Sequence, residues 1–211
     1  MNALRIALAA LLLAAASASW SQALDQFMRA VVGNEPQTVA GLLKRGMDPN
    51  AADPAGDTAL MIASRMGYRD LVALLLDYKA DANRRSAHGD TAINLASLKG
   101  YLEIVKLLVE HGATVKTTGW TPLHYAAFEG HSDVIKYLLL KGAEKDAFAP
   151  NGYTALMLAV REGKIDAVTT LLYEDVDIGI KGPHGETALS IARAKKNEEM
   201  EKLLKRAGAV E

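Results

Sequence analysis

The sequence predicts an all-α solenoid of stacked helix-turn-helix units, and three observations carry that prediction. One phrase is written five times, as Thr58-Ala-Leu, Thr91-Ala-Ile, Thr121-Pro-Leu-His124, Thr154-Ala-Leu and Thr187-Ala-Leu. Successive copies start 33, 30, 33 and 33 residues apart. Glycines and pairs of aliphatic residues recur in phase with them, as Gly67, Gly100 and Gly163, and as Leu75-Leu76, Leu108-Val109 and Leu171-Leu172. A fixed period of this size marks one supersecondary unit stacked on copies of itself. Such an array presents a long concave surface and no enclosed pocket, which favours binding over catalysis.

The first unit is degenerate. Asp25 stands 33 residues before Thr58 and is expected to cap a helix as Thr does. Phe27, Ala30, Leu42, Leu43, Gly46 and Asn50 fall in phase with Leu60, Ala63, Leu75, Leu76, Lys79 and Asn83, and Glu35-Pro36 opens a second helix. The copy from Thr121 is the most complete. Its Thr hydroxyl can accept a bond from a free amide of the first turn, and Pro122 loses nothing by lacking an N–H there. Leu123, Ala126 and Ala127 make a small apolar face at helical spacing. Gly130 breaks that helix, Val134, Ile135, Leu138 and Leu139 line the next, and Gly142 supplies its left-handed end. In the last unit Lys196 replaces the inter-helix glycine, Lys205 replaces the second leucine, and residues 197–205 are densely charged. A terminal unit must turn one face to water, so atypical ends are expected.

The string Thr121-Pro-Leu-His-Tyr-Ala-Ala, its Gly130-His131 turn and the Leu138-Leu139…Gly142-Ala143 ending resemble the ankyrin repeat. The resemblance covers roughly residues 24–211, divided as 25–57, 58–90, 91–120, 121–153, 154–186 and 187–211, six repeats of which two are caps. It implies a hairpin finger projecting between successive repeats. The connection Lys116-Thr-Thr-Gly-Trp120 lacks three residues, so one finger is expected to be short, either as plain loop variation or as a notch shaping a partner site.

Residues 1–23 are written differently. Arg5 precedes an unbroken Ala, Leu and Ile run from Ile6 to Ala16, and both Ala16-Ser17-Ala18 and Ser21-Gln22-Ala23 satisfy the small-x-small rule for cleavage. This reads as a secretory signal peptide, with the mature chain beginning between Ser19 and Leu24. The run is short for a membrane span, which needs roughly 20 residues. No cysteine follows it, which excludes a lipoprotein anchor. Together with the repeats, this points to a periplasmic protein of a Gram-negative bacterium, free of the membrane once the leader is removed.

Composition narrows the partners. Without Arg5 the chain carries 23 basic against 25 acidic residues, a balance that argues against nucleic acid. Cys is absent, which removes disulfides and thiol chemistry. Of the five histidines, His124 and His131 are expected to bond loop backbone, while His88 and His184 sit on fingers too far apart to share a metal. No phosphate-cradling glycine loop, nucleophile elbow or metalloprotease helix occurs. Glu198-Glu199 and Asp175/Asp177 read as solvated charge. Asn50, Asn83 and Asp146 are expected to hold their local turns. Neither catalysis, cofactor nor metal is therefore expected.

The resemblance implies that a partner touches the finger tips and the inner ends of the first helices. By phase these are Asp57, Arg65 and Met66, then His88, Asp90, Leu98 and Lys99, then Trp120, Phe128 and Glu129. Asn151, Tyr153, Arg161 and Glu162 follow, and His184, Glu186 and Lys195 close the row. Trp120, Phe128 and Tyr153 are expected to be exposed aromatic anchors at its centre, with Arg161 and Glu162 as a polar rim. The expectation is a monomeric protein-binding module, acting as a general adaptor or as an inhibitor covering the active site of a toxic enzyme.

Overall fold

The computed structural model describes residues 20–210. The expected signal segment lies almost wholly outside them, and its far boundary at residues 23–24 falls within a helix running through residues 20–32 (α1). Asp25 is inside that helix and does not cap it. The helix reaches further upstream than the phase of the later threonines indicates, so the 33-residue register breaks at this point. Eleven helices follow. They are α2 (Pro36–Lys44), α3 (Ala59–Met66), α4 (Arg69–Asp77), α5 (Ala92–Leu98), α6 (Leu102–Glu110) and α7 (Pro122–Glu129). The remainder are α8 (Ser132–Leu140), α9 (Ala155–Arg161), α10 (Ile165–Tyr173), α11 (Ala188–Ala194) and α12 (Glu198–Arg206).

They stack in two layers. The odd-numbered helices from α3 to α11 pack side by side in one row, and α2 to α10 form the second row behind it. Each of the five threonines is an N-cap in extended conformation, its hydroxyl accepting from the backbone N–H three residues on. Those amides belong to Met61, Asn94, His124, Met157 and Ser190. The odd helices are squeezed between two neighbours and their own partner helix, so small residues are required there. Ala63, Ala96, Ala126, Ala159 and Ala192 are completely buried. Second helices bury only one stripe, such as Val72, Leu75 and Leu76 of α4 or Val134, Ile135 and Leu138 of α8.

The turn between the two helices is built the same way each time. The carbonyl of the buried alanine accepts from the residue that opens the second helix, from Tyr68, Tyr101, His131, Lys164 and Asn197, at 2.9–3.0 Å. The residue before that opening is left-handed, as Gly67, Gly100, Gly130, Gly163 or, in the last pair, Lys196 at φ 54°.

Fingers close on a backbone bond from Asp53, Ser86, Ala149 and Gly182 to the carbonyl four residues later, at 2.8–3.0 Å. They are tight turns more than strands: the one bridge among the described residues joins Ala52 and Thr58. The shortened connection has no such closing bond among the described residues, and the Trp120 carbonyl instead accepts from Asn94 Nδ2 at 3.2 Å. Asn50, Asn83 and Asp146 are expected to bond their own turns, but their side chains reach the neighbouring unit instead. Each accepts from the next unit, at Asp81, Thr114 and Asp177, and Asn83 also donates to the Gly112 carbonyl. Their reach of about one period was hidden in a sequence because only stacking brings adjacent loops together.

Candidate functional site

Two positions meet on the inner side of the stack at α3 and at α9: the residue just before the capping threonine, at the finger base, and the residue eight further on, near the end of the first helix. In the second unit they are Asp57 and Arg65, which form an ion pair of 2.7 Å. In the fifth they are Tyr153 and Arg161, whose guanidinium lies 5.2 Å from the ring centre. Arg161 also donates from Nε to Glu162 at 2.9 Å. Met66, Lys99, Glu129 and Glu162 are exposed along the same row, and Asp90 is half-buried.

Trp120, Phe128 and Tyr153 are half-buried, not the exposed anchors expected of them. The reason is visible for two of the three. Trp120 sets its edge on His124, with centroids 6.1 Å apart, and lies tilted on Tyr125 at 5.6 Å. Tyr153 is covered by Arg161 and hydrogen-bonds Glu186. That bond to Glu186 is the main cause raising the Tyr153 phenol pKa. Glu186 is held below its ordinary value first by its own backbone N–H and then by the Tyr153 hydroxyl.

Tyr125 joins this surface without having been expected there. Its hydroxyl donates to Asp90 Oδ1 at 2.5 Å, and burial followed by that bond pushes its phenol far above the usual range. The signal was present: at the same phase the other units carry Ile62, Leu95, Leu158 and Ile191, all buried aliphatics. A lone tyrosine in an aliphatic column marks a side chain that turns its polar end outward.

The two structural histidines are engaged with backbone. His124 accepts the Thr121 amide at Nδ1 (3.1 Å) and donates from Nε2 to the Ala147 carbonyl (2.9 Å), which fixes its tautomer and ties α7 to the finger leading to α9. His131 Nε2 reaches the Leu98 carbonyl at 3.1 Å. His88 and His184 are exposed on different fingers. Among the described residues no three His, Asp or Glu side chains are grouped to hold a metal, and no helix is long and apolar enough to cross a membrane.

The inner row ends in an open groove of about 550 Å³ between the last two units. Tyr153, Arg161, His184, Glu186, Ile191 and Lys195 line it, so late members of the sequence-derived row converge on one hollow. A small residue contributes to it. Where Arg65 and Arg161 fill the space beside their finger bases, Ala194 leaves the space beside Glu186 open.

Comparison with known proteins agrees with this architecture. A family profile described as "Ankyrin repeats (3 copies)" matches residues 27–118, 79–149, 114–182 and 139–210. Alpha-latrocrustotoxin-Lt1a of Latrodectus tredecimguttatus is 33% identical over 121 residues, 56% of this chain and 6% of that protein. Protein phosphatase 1 regulatory subunit 27 of Mus musculus is 53% identical over 30 residues, 14% of this chain and 20% of that protein. The chain thus spans a small part of the length of these relatives, and the likeness lies in the repeats. With the profile covering nearly every described residue, the chain belongs to the ankyrin-repeat family, whose repeats are generally protein-binding modules and typically non-catalytic.

Proposed function

We propose that this chain is an exported, monomeric protein-binding module that recognises a partner through the inner row of finger bases and first-helix ends. The observation that carries the reading is the row itself. Residues free of the stacking pattern, among them Arg65, Met66, Lys99, Glu129 and Arg161, follow one another along one face of a rigid support. A surface held by stacking loses little entropy on binding. The half-buried rings of Trp120, Phe128 and Tyr153 suit this role, since a pinned aromatic side chain offers area without needing to be ordered. Export rests on the leader-like residues 1–23, and the periplasm is the compartment it implies.

Phe128→Ala and Tyr153→Ala test the reading. Each is expected to weaken capture of a partner from periplasmic extract by about 2 kcal/mol, roughly 30-fold, while an outer-face change such as Lys106→Ala leaves it intact. Thermal stability is measured on the same variants. A large stability loss for Phe128→Ala at unchanged affinity would make that ring packing and defeat the central patch. Terminal sequencing of protein from the native host tests export, and a cytosolic chain starting at Met1 would refute it.

A further inference from the structure

We infer that the groove at the end of the inner row is a seat for an acidic side chain, Asp or Glu, on an extended protein segment, with an aliphatic neighbour beside it. The inference rests on the partner-binding reading above and adds the chemistry of what is recognised. It starts from donors and acceptors. Glu186, the carboxylate in the groove, is already satisfied: it accepts the His184 backbone N–H at 2.8 Å and the Tyr153 hydroxyl. The cations are not satisfied to the same degree. Arg161 lines the groove and uses Nε on Glu162, while its terminal nitrogens make no hydrogen bond and Lys195 makes no ion pair among the described residues. Among the lining residues two cations, Arg161 and Lys195, stand against one carboxylate, Glu186, so the groove carries one surplus positive charge.

A charged donor facing water gains most from a carboxylate, because such charge-assisted bonds are about twice as strong as neutral ones. Arg161 is also held from two sides, since its Cζ lies over the Tyr153 ring at 5.2 Å and its Nε bonds Glu162. A pre-set guanidinium spends little entropy in meeting a carboxylate. The floor adds the second element of recognition. Ile191 and Ala194 give the same groove an apolar part beside the two cations, where an aliphatic side chain can lie. The groove is open along the stack and not closed around a small molecule, so the occupant is a segment of polypeptide that continues along the row. Electrostatic pairing of this kind sets partner choice and association rate more than raw affinity.

Calorimetric titration of the purified chain with three blocked nonapeptides tests this, alternating Glu and Leu, Gln and Leu, or Lys and Leu. The Glu-Leu peptide is expected to bind at least tenfold more tightly than the Gln-Leu peptide, and to weaken between 50 and 500 mM salt as screening grows. Lys195→Glu should lose at least tenfold for Glu-Leu and gain affinity for Lys-Leu. Lys136→Glu on the exposed side of α8 makes the same change in net charge and should alter neither. Equal binding of Glu-Leu and Gln-Leu, no binding of Glu-Leu, or equal effects of Lys195→Glu and Lys136→Glu would each overturn the inference. If the peptides fail while Phe128→Ala still releases the captured partner, the acidic seat falls and the partner-binding reading stands. If Lys195→Glu acts as expected while Phe128→Ala leaves capture unchanged, the seat stands and the central patch falls.

Discussion

His124 shows how one side chain couples local capping to a distant finger and makes both depend on pH. Burial holds its pKa below 6.5, and the bond to the Ala147 carbonyl only partly opposes that shift. Protonation would place a hydrogen on Nδ1, the atom that accepts the Thr121 amide. As pH falls from about 6.5, the unfolded chain takes up this proton before the folded chain does. Stability is therefore full above about 6.5 and declines below it until the folded-state pKa is reached, by at most about 1.4 kcal/mol per pH unit for one proton. Glu186 and Glu201, both depressed below 4.5, act only at lower pH, so they do not confuse this window. Thermal unfolding from pH 7.5 to 5.5 should show a falling midpoint in the native chain. The fall should be clearly smaller in His124→Gln. Equal slopes would remove His124 as the source.

At the level of the helix, the end of each second helix repeats one left-handed residue, and the sequence fills it unevenly. Gly46, Gly112, Gly142 and Gly208 occupy the position in four units, but Lys79 and Asp175 do so at φ 65° and 53° in the others. A side chain there costs about 1–2 kcal/mol, offset in part by the larger unfolded-state entropy of glycine. Lys79→Gly is expected to stabilise the protein by about 0.5–1 kcal/mol. Gly142→Ala is its mirror experiment. An added Cβ would meet only Lys116 Cε, at 3.8 Å, so its cost is backbone strain alone, about 1 kcal/mol. Urea denaturation with unchanged slope checks both. A destabilised Lys79→Gly would mean that the lysine side chain makes up for its backbone.

Over the whole molecule, buried residues from Phe27 to Leu204 form one continuous core although each unit packs only on its neighbours. Stability is then close to a sum over units and interfaces. The last unit seals that core: Met200 and Leu204 are fully buried, while Glu201 pairs with Arg193 and Lys205 on the outside. Deleting residues from Thr187 onward would open Leu171 and Val168 of α10 and the buried residues 155–160 of α9 to water. The truncated chain is expected to aggregate or to unfold at clearly lower denaturant. A truncated chain that stays monomeric with an unchanged midpoint would contradict the capping role of α11 and α12.

The repeat register, the five capping threonines, the left-handed glycines and the stripe of buried aliphatics were all legible in the chain by itself. Each is set within about ten residues, by hydroxyl-to-amide bonds, by φ and by helical spacing, so local chemistry determines it. The row of candidate contacts could likewise be assigned by phase. What those side chains do was decided only by stacking. Asp90 and Tyr125 are 35 residues apart, and their bond exists because stacking sets the finger base before α5 beside α7. Stacking likewise sets Tyr153 against Glu186, turns Asn50 and Asn83 into links between units, and brings Tyr153, Arg161, Glu186 and Lys195 to one groove. A one-dimensional period names the positions that face one another. The distance between them, and which side chain fills the gap, is a property of the packed array.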